Sequence, residues 1–234
     1  MKTSLTIGLA ALVTSTLFAA DSSPKDDVMA AVKRLEQKPN YSWISTPVVP
    51  DDAPFKPSPT EGKTEKGGIT LMTTSMMENK LRIVMKGEKG AATDQEGKWK
   101  SFSELEKEEG PGRFIALMAR DNKVPAKEAA QLVPLARELK KDGDVYSGDL
   151  TEAGAKELQA FRPPEGDPPT VNNAKGSVKF WLSNGDLTKY EFKLKGNINF
   201  NGNEIVNDRN TTVQIKDVGN TKVMLSDEAR KKVE

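Results

Sequence analysis

The sequence contains no cysteine and no histidine. The first absence excludes disulfides, thiolate metal sites, a cysteine nucleophile and the acylated cysteine of a lipoprotein. The second removes the commonest general base near neutral pH and the commonest metal ligand. Catalysis would have to rest on Asp, Glu, Lys, Ser, Thr, Tyr or Arg. No catalytic residue, metal ligand or cofactor is assigned from the sequence, and an enzyme is not expected. Aromatic residues make up only 6% of the chain, fewer than a base-stacking surface in a basic setting uses. The net charge is +1, so no global field draws the chain to nucleic acid or to an anionic membrane. No G-x-G-x-x-G or P-loop is present. Asp142, Asp144 and Asp149 hint at calcium, but the glycine falls at Gly148 and no Glu stands at the twelfth position of such a loop. Ser22 stands three before Lys25, as in Ser–Lys acyl enzymes, without the companion motifs.

What is present begins with a leader. Residues 1–20 carry Lys2 and then an apolar run broken only by Gly, Ser and Thr. That is the pattern of a secretory signal peptide, and it is too short for a membrane span of about 20 apolar residues. The expectation is a periplasmic or secreted protein with no integral membrane span in its mature form. Residues 21–234 then read as one domain, with a proline-rich segment over 47–59 (Pro47, Pro50, Pro54, Pro57, Pro59) that forces extended, poorly paired chain.

The strongest local signal lies in residues 175–215. Asn184-Gly185 and Asn201-Gly202 each separate alternating segments, and Asn-Gly tolerates the positive φ of a tight hairpin turn. Val178, Phe180 and Leu182 share one face of the first strand. Tyr190, Phe192, Leu194, Ile198 and Phe200 share one face of the second, with lysines on the other. A period of two means a sheet with one face in water and one covered. A second meander is expected over 60–93, with Ile69, Leu71 and Thr73 on one face and Leu81, Ile83 and Met85 on another. Met72, Met76, Met77 and Met85 cluster there, as gap-filling core or as an adaptable pocket.

Helices are expected over 24–37 (Val28, Ala31, Val32, Leu35), over 101–109 capped by Ser101 or Ser103, over 113–120 and over 125–141 with a kink or break at Pro134. A further helix is capped by Thr151 and includes Leu158 and Phe161. A last strand is expected near 221–225, then a helix capped by Ser226. The order of helix, strands, helices and strands argues an α+β fold, with helices gathered on one face of a large antiparallel sheet.

The chain resembles the LolA-like and LppX-like proteins, the superfamily of periplasmic lipoprotein carriers and their mycobacterial relatives. The matching features are the leader, the helix at Val28 to Leu35 and the strand end Gly97-Lys98-Trp99 before helices. They also include the hairpin Phe180-Trp181-Leu182-Ser183-Asn184-Gly185, which runs into Thr188-Lys189-Tyr190-Glu191-Phe192. The resemblance implies a large antiparallel, incompletely closed β-barrel, or half-barrel, covered by helices. No ligand residue is carried over from it. If the helices cover the apolar face tightly, the interior is plain core. If they stand off, it is a cavity for a lipid or acyl chain, lined by Leu71, Leu81, Ile83, Met85, Phe114, Leu117, Met118, Phe180, Leu182, Tyr190 and Phe192. The first reading of function is therefore an exported soluble protein that holds a lipid, or the lipid of a lipidated protein. The second is an envelope-sensor or interaction module with a closed core and an envelope protein partner. An exported hydrolase using carboxylates is the third.

Overall fold

The computed structural model describes residues 22–53, 56–76, 79–108, 110–160, 168–200 and 202–234. The leader, Met77, Phe161 and Asn201 lie outside the described residues.

The first helix, α1 (Pro24–Gln37), starts at a reciprocal cap. The Ser23 hydroxyl accepts the backbone N–H of Asp26, and the Asp26 carboxylate accepts that of Ser23. Val28, Ala31, Val32 and Leu35 fall on one face and are all buried, as helical spacing predicts. The chain continues as β1 (Asn40–Val48), β2 (Thr60–Glu65), β3 (Ile69–Met76), β4 (Asn79–Lys86), β5 (Lys89–Thr93) and β6 (Trp99–Ser101). Three helices follow: α2 (Phe102–Leu105), α3 (Pro111–Asp121) and α4 (Pro125–Leu135). Then come β7 (Lys140–Asp142), β8 (Val145–Asp149), α5 (Glu152–Glu157), β9 (Thr170–Ser183), β10 (Asp186–Phe200), β11 (Asn203–Lys216) and α6 (Asp227–Val233).

Among the described residues, eleven strands join one antiparallel sheet in the order β6-β5-β4-β3-β2-β1-β11-β10-β9-β8-β7. Two meanders are stitched together where β1 pairs with β11. The sheet does not close, and its edges are the three-residue strands β6 and β7. Short edges, one of them the exposed Lys-Lys-Asp of β7, discourage pairing with other chains. The architecture is the α+β half-barrel with helices that the sequence predicts.

Register follows turn chemistry. Ser183 pairs with Asp186, leaving Asn184 (φ 50°) and Gly185 (φ 80°) as the two central residues of a tight turn. On the inner face, one row crosses five strands and reaches a sixth: Tyr146, Phe180, Tyr190, Val213, Ser45 and Thr60 stand opposite one another in turn. The outer face of β10 is charged. Lys193 and Lys195 reach Asp208 at 3.8 and 3.1 Å, and Lys189 lies 3.5 Å from the ring centre of Trp181.

Three expectations are corrected. The helix expected over 125–141 ends at Leu135, one residue past Pro134, which cannot supply the amide a further turn needs. Residues 140–142 instead pair with β8 across a turn with Gly143 at φ 58°. Residues 221–225 form no strand. Side chains hold them: Asn40 Oδ1 accepts the Thr221 amide at 2.7 Å and Glu65 Oε1 accepts that of Val223 at 2.5 Å. The helices are not all on one face. α1 to α5 belong to the main core, whereas α6 packs Ala229 and Val233 on Val84, Ala91 and Trp99 of the opposite face.

Candidate functional site

The inner row of the sheet diminishes in size from one end to the other. Tyr146, Phe180, Tyr190 and Val213 are buried, and beyond them stand only Ser45 and Thr60. Large side chains meet the helices directly at the Tyr146 end. At the small end a space opens, and α4 and the chain after α5 pass over it without filling it. The result is a cavity of about 630 Å³. Its floor is Trp43, Ser45, Tyr190, Phe192, Ile198 and Val213, and its roof is Pro125, Glu128, Gln131, Leu132 and residues 157–160. From Val213 to Asn207 it follows β11 for roughly 20 Å at about 3.4 Å per residue.

The wall is partly polar. Tyr190 Oη donates to Glu128 Oε2 at 2.6 Å. Asn207 Nδ2 donates to Gln159 Oε1 at 2.9 Å, and Gln159 Nε2 donates to the Ala155 carbonyl at 2.9 Å. Arg209 is on the inner face of β11, opposite Leu194. Its Nε is buried with no hydrogen-bond partner among the described residues, and no ion pair reaches its guanidinium among them. Burial pulls its pKa down, although the charge of Glu128 pulls the other way. The indole N–H of Trp43, near the other end of the cavity, is also buried without a described partner. That ring lies against Gly62, where an added Cβ would fall 2.0 Å from Trp43 Cε2.

Burial pushes the Glu128 carboxyl up. The Tyr190 hydroxyl and the positive charges of Lys123 and Arg209 only partly offset this. The Tyr190 hydroxyl is pushed well above its ordinary value by burial and by the Glu128 charge. A raised carboxyl contributes stability below its ordinary value of 4.5, and that contribution is lost as pH rises toward the folded-state value. Glu128→Gln, which can still accept from Tyr190, is therefore expected to raise the melting temperature at pH 7. The gain should vanish near pH 4. Melting curves of both proteins from pH 4 to 8 check this, and a lower melting temperature for the variant at pH 7 contradicts it.

Of the residues singled out from the sequence, Tyr190 and Phe192 line the cavity. Phe180, Leu182, Leu81 and Ile83 are buried in the packed core, and Met85 is half-buried against it. Leu71 faces the other side of the sheet, half-buried beside Val84 and under α6. Leu117 and Met118 are half-buried on α3, and Phe114 on the same helix is exposed. Sequence reasoning did not find Ser45, Glu128, Gln159, Asn207 or Arg209. The available signal was β11, where Asn207, Arg209 and Thr211 alternate in phase with Val213.

No family model matches the chain, and no curated protein matches it. Several solved structures are similar to it. LprF from Mycobacterium bovis shares 11% identity with a TM-score of 0.44, over 88% of this chain and 97% of that one. The Mycobacterium tuberculosis lipoprotein LppX shares 8% with a TM-score of 0.46, over 87% and 99%. A LolA superfamily protein from Nitrosomonas europaea shares 12% with a TM-score of 0.34, over 87% and 96%. At these identities the likeness is one of fold.

Proposed function

We propose that this is an exported binding protein that holds a lipid or acyl chain between the half-barrel and its helical roof. The observation that carries the reading is the 630 Å³ cavity, floored by Trp43, Tyr190, Phe192 and Val213. Protein interiors are otherwise close-packed, with few voids larger than a water of about 30 Å³. A volume this size falls within the range of about 300–1,000 Å³ used for small-molecule ligands. Phe192, Ile198 and Leu158 give its mixed lining an apolar stretch that suits hydrocarbon. The leader pattern of residues 1–20 supports export. Catalysis is not part of the proposal: of the two carboxylates in the cavity wall, Glu128 is engaged by Tyr190 and Glu157 is exposed.

The test is organic extraction of the purified protein followed by mass spectrometry. A single lipid class in near-stoichiometric amount is expected. Recovery of no lipid, from protein expressed with its leader and never exposed to detergent, overturns the reading and leaves the closed interaction module.

A further inference from the structure

A second space borders Arg209. The β1–β11 ladder stops at Val48 opposite Asn210, so among the described residues β11 has no strand partner on that side over residues 203–209. The chain leaving β1 stands off from it, and a second cleft of about 480 Å³ lies between Val49, Pro50, Asp52 and Pro57 on one side and Ile205, Val206 and Asp208 on the other, the last paired with Lys193 and Lys195. Ile198, Asn207 and Arg209 border both spaces. Arg209 therefore stands at the junction of a roofed cavity and an open cleft. Its guanidinium is permanently cationic and presents a planar fork of donors suited to carboxylate or phosphate. A buried polar group without a partner is costly in a folded protein, and such groups are generally satisfied. Here Glu128 is held by Tyr190, and no described carboxylate pairs with Arg209.

We propose that Arg209 is the head-group subsite of this cavity and that the ligand is a single-chain amphiphile with an anionic head. The head, a carboxylate or a phosphate ester, lies on the Arg209 guanidinium at the open junction. The chain runs inward along Phe192, Tyr190 and Val213 toward Trp43. Asn207 and Lys123 at the cavity rim add donors, and Glu128 opposes a second negative charge further in. This rests on the carrier reading and specifies the class of molecule carried.

The test is displacement of the neutral dye Nile red from the full protein, first stripped of its resident lipid and shown to be folded, by dodecanoate, dodecyl phosphate, dodecanol and dodecyltrimethylammonium. Loss of a hydrogen bond to a charged group corresponds to roughly tenfold or more in affinity. At least one anionic probe is expected to displace the dye at a concentration at least tenfold lower than dodecanol does, and the cation is expected to be weakest. Which anion is preferred distinguishes a carboxylate from a phosphate head. Arg209→Gln should lose the preference while still binding Nile red and dodecanol, which also reports that its site is folded. Arg209→Lys, which keeps the charge, should retain part of it. Equal displacement by dodecanol and both anions, or a preference that survives in Arg209→Gln, overturns the assignment while leaving the carrier reading intact. Failure of the protein to bind the dye or any of the four probes overturns both.

Discussion

Replacing Phe180 by alanine is expected to cost about 3–5 kcal/mol of folding stability. Phe180 is in the C-terminal half of β9 and fully buried. On one side Tyr146 of β8 stands opposite it, and on the other Tyr190 of β10. The Phe180 and Tyr190 ring centres are 6.3 Å apart with planes tilted by 32°, within the range where aromatic pairs attract beyond their buried area. The row is flanked by strands on both sides and roofed by helices, so the hole left by the ring cannot collapse easily. The cost then approaches the transfer free energy plus the cavity term. Urea unfolding should show a lower midpoint at unchanged slope. Phe114→Ala provides the contrast: that ring is 55% exposed on α3, and its removal should change stability by no more than about 0.5 kcal/mol. A Phe180→Ala cost below about 1.5 kcal/mol would mean that the aromatic row is not close-packed, and the account of where the core ends and the cavity begins would fall with it.

The same row explains what was and was not legible in the sequence. Asn184-Gly185 fixed one hairpin, because two adjacent residues that tolerate positive φ have few other uses between alternating segments. The inner face of β9 and β10 followed from that turn, and so did Tyr190 and Phe192. The cavity itself depends on what stands opposite Tyr190 two strands away. That residue is Ser45, 145 positions earlier in the chain, brought there by β1 pairing with β11. No local period encodes such a register. Searching for large apolar residues also favours the filled part of an interior, because a cavity forms where the residues are small. Arg209 and Glu128 were missed for a related reason. An arginine in a strand and a glutamate on a helix read as solvated until the backbone places both beneath a roof. Leu71 illustrates the limit of parity. Its alternation with Ile69 and Thr73 was clear, but the pairing of Leu71 with Val84, and of Met72 with Ile83, decides which set faces inward. Met72 is fully buried in the main core, whereas Leu71 is half-buried on the other face. α6, which begins 143 residues after Val84, gives the other set a cover of its own on the outer face.

Substituting Ser45 by phenylalanine is expected to abolish lipid retention while leaving the fold intact. Ser45 is on the inner face of β1, next in the row after Val213, and it lines the cavity. An aromatic ring there extends the Tyr146–Phe180–Tyr190 row into the empty volume. Strands accommodate phenylalanine well, and burying the ring contributes at most about 1.5–3 kcal/mol. The variant should therefore melt at or above the wild-type temperature. Its extractable lipid should fall at least tenfold, because chain and ring compete for one space. Filling a natural cavity commonly raises stability at the expense of the function that needs it. Undiminished lipid in a stable Ser45→Phe protein would place the ligand elsewhere, and the cleft beside Ile205 and Val206 would become the candidate. A strongly destabilised variant would mean that α4 and the chain after α5 close tightly over Ser45, leaving no room for a chain at all. Only loss of lipid together with retained stability is what a standing gap between sheet and helices requires.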